Sequence, residues 1–240
     1  MQNTCYNHIN KNADYKLINY FFHFQHPFTS VISGPTMSGK TVFISKLINS
    51  SEKLIKPAIC EIHFYYAEWQ PIYSSMKNTK FFKKVPNLDE YKGGKPILII
   101  IDDLMTESNN KLSNFFTKGA HHRNLSIIYI TQNLYNSNSD NRTINLNVQY
   151  LIIFKNPRDM LQIQHLGRSI LVRNFKEFEE AYKYATRNPF GYILIDLKQT
   201  TPDQFRYMTN ILNDHPFNTD SVTHQDMLVL SVNEDQLDKC

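Results

Sequence analysis

Thr29-Ser30-Val31-Ile32-Ser33-Gly34-Pro35-Thr36-Met37-Ser38-Gly39-Lys40-Thr41 decides how the rest of the 240-residue chain is read. Its first five residues have the composition of a short buried strand. The next eight match the G-x-x-x-x-G-K-[ST] phosphate-binding loop, and the residues after Thr41 have helix-forming composition. Each part has a physical task. Gly34 and Gly39 let the backbone turn its N–H groups inward around a phosphate without interference from a Cβ. Pro35, Thr36, Met37 and Ser38 supply the arc between them. The following helix adds the partial positive charge of its N-terminus beneath the same anion. Lys40 is expected to reach the β and γ phosphates of a nucleotide, and the Thr41 hydroxyl to ligate Mg²⁺.

Working outward, Ile97-Leu98-Ile99-Ile100-Ile101-Asp102-Asp103 is an apolar run that ends in two carboxylates. Asp102, at the strand end, is the candidate for the Mg²⁺ shell, and Asp103 the candidate general base for the attacking water. A third apolar run, Ser126-Ile127-Ile128-Tyr129-Ile130-Thr131-Gln132, also ends in polar side chains. Ligands of parallel sheets gather beyond the carboxyl ends of the strands, so Gln132 is expected near the γ-phosphate. This resembles the sensor position of ATPases that insert a strand between the two motif-bearing strands. Two arginines are candidates for a finger acting on a neighbouring subunit's nucleotide: Arg123, which is preferred, and Arg142. These residues together predict an ATP hydrolase that uses ATP and Mg²⁺. A signalling GTPase should carry N-K-x-D after a later strand, where this chain has only Phe154-Lys155-Asn156-Pro157.

Short apolar segments alternate with longer polar, helix-permitting ones, the pattern of a parallel α/β sheet. Strands are predicted at 29–33, 59–65, 97–101, 126–131, 150–154 and 192–196. Helices are predicted at 40–49, 108–120, 157–166 and 174–186, with 136–147 as loop. Several strand runs are unbroken rather than alternating, as expected when helices cover both sheet faces. The domain reading is an N-terminal extension over 1–27, an ATPase domain over 28–213 and an acidic tail over 214–240, a candidate for disorder.

Net charge is +4, unevenly distributed. Six acidic residues against Lys239 give the stretch from Asp214 onward −5, which leaves +9 on residues 1–213. A basic body fits an anionic partner such as nucleic acid. Lys80-Phe81-Phe82-Lys83-Lys84 and the loop around Arg142 are candidate DNA contacts, although Phe81 and Phe82 read equally as core. His121-His122 are adjacent on a predicted helix, point about 100° apart, and read as structural rather than metal-binding. Three widely spaced cysteines predict no disulfide framework and a reducing compartment. No secretory signal and no membrane-length apolar run are found in the sequence.

Beyond the phosphate loop, Asp102-Asp103-Leu104-Met105, Phe116-Thr117-Lys118-Gly119-Ala120-His121-His122-Arg123-Asn124 and Ile130-Thr131-Gln132-Asn133-Leu134 together resemble the FtsK–HerA superfamily. More narrowly they resemble its viral genome-packaging branch: poxvirus-like, adintovirus and Polinton-type DNA-packaging ATPases. Tyr66–Gln70, Phe154–Asp159 and Pro189–Asp196 extend the likeness, which covers roughly residues 28–212. The resemblance implies a RecA-like ASCE P-loop NTPase fold, with a mainly parallel sheet sandwiched by helices. It implies a homo-oligomeric ring, expected as a hexamer, that threads double-stranded DNA into a capsid, with capsid proteins as further partners and no membrane. An intracellular setting at a virus assembly site, in host nucleus or cytoplasm, follows from the same likeness. Lys40, Thr41, Asp102, Asp103 and Gln132 take the nucleotide roles given above, and Arg123 that of the finger. Many members carry Glu where this chain has Asp103, which leaves Glu68 as a second candidate base. Two other readings stand beside the motor: a helicase or DNA-processing ATPase, and a slow nucleotide-binding switch.

Overall fold

The structure, a computed structural model, describes residues 6–10, 13–17, 22–102, 104, 109–133, 144, 146–158, 160–170, 175–212 and 228–229. An antiparallel pair, β1 (Tyr6–Asn10) and β2 (Ala13–Leu17), precedes β3 (Phe24–Gln25) and β4 (Thr29–Ser33). Then come α1 (Lys40–Asn49), α2 (Ser51–Leu54), β5 (Ile55–Lys56), β6 (Glu61–Tyr66), β7 (Thr79–Phe82) and β8 (Ile97–Asp102). The chain continues through α3 (Asn109–Asn114), a π-helical turn (Phe115–Gly119), α4 (Ala120–His122), β9 (Leu125–Thr131) and β10 (Tyr150–Phe154). Helices α5 (Met160–Ile170) and α6 (Phe175–Ala185) lead to β11 (Tyr192–Asp196), β12 (Tyr207–Thr209) and β13 (Leu228–Val229).

Nine strands form one sheet in the order β13-β12-β11-β10-β4-β9-β8-β6-β7. From β10 to β7 every neighbouring pair is parallel, whereas β11, β12 and β13 are added antiparallel. The apolar runs are unbroken because both sheet faces are covered, so every residue meets a core. Along β8, Leu98 and Ile100 enter one core cluster while Ile99 and Ile101 enter the other. Strand β9 divides likewise between Ile128, Ile130 and Ile127, Tyr129. Helix α1 packs Phe43, Ile44, Leu47 and Ile48 on the first face. The second face takes Phe115 and Phe116 from the π turn, Ile163 and Leu166 from α5, and Phe178, Ala181 and Tyr182 from α6. Each buried Ile or Leu contributes about 1.5–3 kcal/mol, so this two-sided core supplies the main driving force.

Four features differ from the sequence reading. The expected single helix over 108–120 is interrupted by the π turn, whose extra residue lets the consecutive Phe115 and Phe116, and Gly119, all be buried. The helix expected from Pro157 begins at Met160, because Asn156 Oδ1 accepts from Arg158 N and forms a turn first. The domain starts before residue 28: Phe22 and Phe24 are buried in the core, and β3 pairs with β5. Within the stretch expected as a tail, Leu228–Val229 pairs with β12; the remainder of 214–240 lies outside the described residues. No helix among the described residues is long and apolar enough to cross a membrane.

Candidate nucleotide site

The phosphate-binding loop leaves the carboxyl end of β4 and runs into α1. Its neighbours on the sheet are β10 and β9, with β8 beyond β9. The strand carrying Gln132 therefore lies between the strand of the glycine loop and the strand of Asp102, as the sequence reading expected. In register, Ser33 is beside Thr131 and Asp102 beside Ile130, so all three ends open onto one edge of the sheet.

Close packing explains the loop's glycines. A Cβ on Gly34 would lie 2.7 Å from Phe154 Cβ and 2.8 Å from Ser38 Oγ, closer than atoms approach. Gly39 caps α1 with φ of 102°, in the left-handed region that favours glycine. Gly34 N donates to Thr131 O, which ties the loop to β9. Lys40 Nζ donates to the carbonyls of Gly34 (2.6 Å) and Pro35 (2.9 Å), so the ammonium lies over the arc of its own loop. Thr36 Oγ1 donates to Gln132 Oε1 at 3.1 Å, bringing the Gln132 amide against the loop. Thr131 Oγ1 bonds with both the N–H and the carbonyl of Asn133, which fixes the turn presenting Gln132.

Asp102 is 8% exposed and accepts a 2.6 Å hydrogen bond from Tyr73 Oη. Tyr73 comes from the short 3₁₀ turn Pro71–Ser75 after β6. Burial, followed by the bond to Asp102, pushes its phenol well above the usual tyrosine range, so it remains protonated and donates. No spacing rule in the sequence links positions 29 residues apart, and Tyr73 was missed. A cavity of about 900 Å³ runs along this edge, lined by Thr36–Phe43, Gln70, Asp102 and Gln132 and continuing to Phe190 and Leu212.

The residues fit a nucleotide and its Mg²⁺. Gly34 and Ser38 shape a cradle that a side chain would fill, and among the described residues the buried Ser38 Oγ has no hydrogen-bond partner. Thr41 and Asp102, both lining the cavity, are hard oxygen donors of the kind Mg²⁺ takes. Asp103 and Arg142 lie outside the described residues.

Other sequence candidates are placed elsewhere. Arg123 precedes the amino end of β9, the sheet edge opposite the phosphate loop, so it cannot serve its own chain's nucleotide. Its Nη1 donates to the carbonyls of Leu88 and Tyr91, and Nη2 lies 3.5 Å from Asp89. Glu68 is an exposed carboxylate 3.4 Å from Lys83 and does not line the cavity. Phe82 stacks on Tyr65 and Phe81 on Tyr73, while Lys80 and Lys84 pair with Glu61 and Glu90. The rings are therefore half-buried packing groups of the edge strand β7.

No protein-family model matches this sequence, and no curated protein matches it. Among solved structures, the chain is similar to the cytoplasmic domain of the Thermomonospora curvata type VII secretion ATPase EccC, with 13% identity and a TM-score of 0.47 over 72% of this chain and 24% of that one. It is also similar to the cytoplasmic domain of EssC, at 14% identity and a TM-score of 0.42 over 64% and 36% of the two chains. The flagellar accessory protein FlaH from Methanocaldococcus jannaschii gives 14% identity and a TM-score of 0.37 over 54% and 72%. The chain thus spans about a quarter of the EccC chain's length. The fold assignment rests on strand order and loop geometry rather than on these likenesses. A glycine loop after β4, with β9 inserted between it and the acidic strand β8 in a mainly parallel sheet, is the RecA-like P-loop NTPase fold.

Proposed function

We propose that this chain is an ATP-hydrolysing motor of the FtsK–HerA type that moves double-stranded DNA and packages a viral or virus-like genome into a capsid. The observation that carries the ATPase part is the convergence of Lys40, Thr41, Asp102 and Gln132 on one cavity at the carboxyl edge of the sheet. The motor part is supported by the motif resemblance and by the +9 charge of residues 1–213.

In this reading Lys40 leaves the carbonyls of Gly34 and Pro35 for the β and γ phosphates, an exchange of neutral acceptors for charged ones that favours binding. Thr41 and Asp102 would hold Mg²⁺, which would supply charge neutralisation to the phosphates. Asp102 is kept in place by Tyr73. Asp103 accepts the proton of the attacking water, and the Gln132 amide orients that water or the γ-phosphate. Arg123 acts on the neighbouring subunit's nucleotide within a homo-oligomeric ring, expected as a hexamer, and gives up its hold on the Leu88–Tyr91 turn to do so.

Displacement of a third strand from a DNA triplex tests translocation. ATP should drive displacement on intact duplex without separating the two duplex strands. Strand separation would support the helicase reading instead. ATP hydrolysis without displacement would leave a nucleotide switch and contradict the motor.

A further inference from the structure

The cavity has two chemically distinct ends. Asp102 and Gln132 lie towards β8 and β9, on one side of the phosphate loop. On the other side, where β10, β11 and β12 follow, the walls become apolar: Val42, Phe190, Tyr192 and Leu212. Among the described residues six large hydrophobic side chains are exposed, and three of them, Met37, Val42 and Phe190, line this one cavity. Exposed apolar side chains gathered at one concavity mark a ligand surface rather than ordinary surface composition.

Phe190 stands out. It is 67% exposed and stands beside the glycine loop, with its Cβ and Cδ1 each 3.4 Å from where a Cβ on Gly39 would stand. Its φ of 61° is left-handed, a strained backbone for an aromatic residue. The facing wall is fixed as well. Tyr192 Oη accepts from Ile211 N at 3.0 Å, and Thr209 Oγ1 donates to the Tyr192 carbonyl at 2.6 Å. These bonds hold Asn210–Leu212 against the start of β11. Asn210 lines the same cavity and carries a side-chain amide.

We infer that Phe190, Val42 and Leu212, with Asn210, form the slot for the nucleotide's purine base, the base lying against the Phe190 ring. This rests on the nucleotide reading of the glycine loop. A triphosphate whose γ end faces Asp102 and Gln132 directs its α-phosphate, and hence its ribose and base, towards β10–β12. That is the apolar end. An aromatic ring exposed to water there loses little by being covered, and a purine offers a planar face of matching polarity.

Calorimetric titration with ATP and with inorganic tripolyphosphate, both with Mg²⁺, tests the slot. The variants are Phe190→Asn, which removes the ring but tolerates the left-handed backbone, and Phe190→Trp, which restores an aromatic face. The expected result is about tenfold weaker ATP binding by Phe190→Asn. Tripolyphosphate binding should be unchanged in that variant, and ATP affinity retained in Phe190→Trp. Equal loss for both ligands, or no loss for ATP while wild type binds it, would overturn the base slot alone. Wild type that binds neither ligand would overturn the nucleotide reading itself. A change of oligomeric state in Phe190→Asn without a change in the ATP-to-tripolyphosphate ratio would make Phe190 a subunit contact and sink the slot.

Discussion

The Tyr73 hydroxyl helps to set how Asp102 is presented. The carboxylate is nearly buried at the end of β8, and the 2.6 Å bond from Tyr73 holds one of its oxygens. A buried carboxylate that must ligand a cation needs its orientation fixed by a neighbour, and losing such a partner typically lowers metal affinity about 10–100-fold. Tyr73→Phe keeps the ring, which packs against Phe64 and Phe81, and removes only the donor. It should raise the Mg²⁺ concentration for half-maximal phosphate release by about tenfold, with the melting temperature little changed. A fall in melting temperature with no shift in Mg²⁺ dependence would show Tyr73 to be a packing residue only. That Lys40, Thr41, Asp102 and Gln132 gather at one cavity was legible because their motifs are local, each following an apolar run. The positions of Tyr73 and Phe190 were not, because they depend on chain segments brought together by the sheet.

Among the elements, the N-terminal strap is tied to the sheet by His26, whose Nδ1 lies 2.6 Å from Ser126 Oγ and Nε2 2.9 Å from Asn124 Oδ1. Burial lowers its pKa from 6.5, with the Asn124 bond opposing. The unfolded chain therefore takes up the proton more readily than the folded one. Stability present above about pH 6.5 should fall as pH drops below it and level off below the folded pKa. Urea midpoints at about pH 7.5 and about pH 5.5 should show a larger acid loss in wild type than in His26→Gln. An identical loss in both would assign the acid sensitivity to other groups. The strap itself was misread as an extension, since Phe22 and Phe24 gain meaning only from the pocket around Tyr150. Strands β8, β10 and β11 were legible from unbroken apolar runs, and β4 and β9 from short β-branched and aromatic segments that precede polar turns. Strand β7 was not: Thr79-Lys80-Phe81-Phe82 alternates weakly, and its place is set by pairing with β6. Helix α5 started late for a local reason, the turn at Asn156 and Pro157, that periodicity does not register.

For the whole molecule, the separation of Arg123 from its own phosphate loop is the informative fact. The two sit at opposite ends of the sheet, so an arginine acting in catalysis here serves another copy of the chain. In this subunit Arg123 also braces the Leu88–Tyr91 turn, and a simple loss of activity in Arg123→Ala would not separate the two roles. Mixing does, because a subunit with an intact glycine loop and no arginine can be rescued by one that has the arginine and a dead loop. In the proposed motor the +9 charge of residues 1–213 would attract duplex DNA, and a ring would place that charge around it. The most direct test is phosphate release from ATP, with and without long duplex DNA, at concentrations that permit assembly. Wild type should be stimulated by DNA, and Lys40→Ala and Arg123→Ala should each be inactive alone. Mixing Lys40→Ala with Arg123→Ala should restore part of the activity. Turnover that persists in Lys40→Ala, or that is indifferent to DNA and to Arg123, would contradict the account.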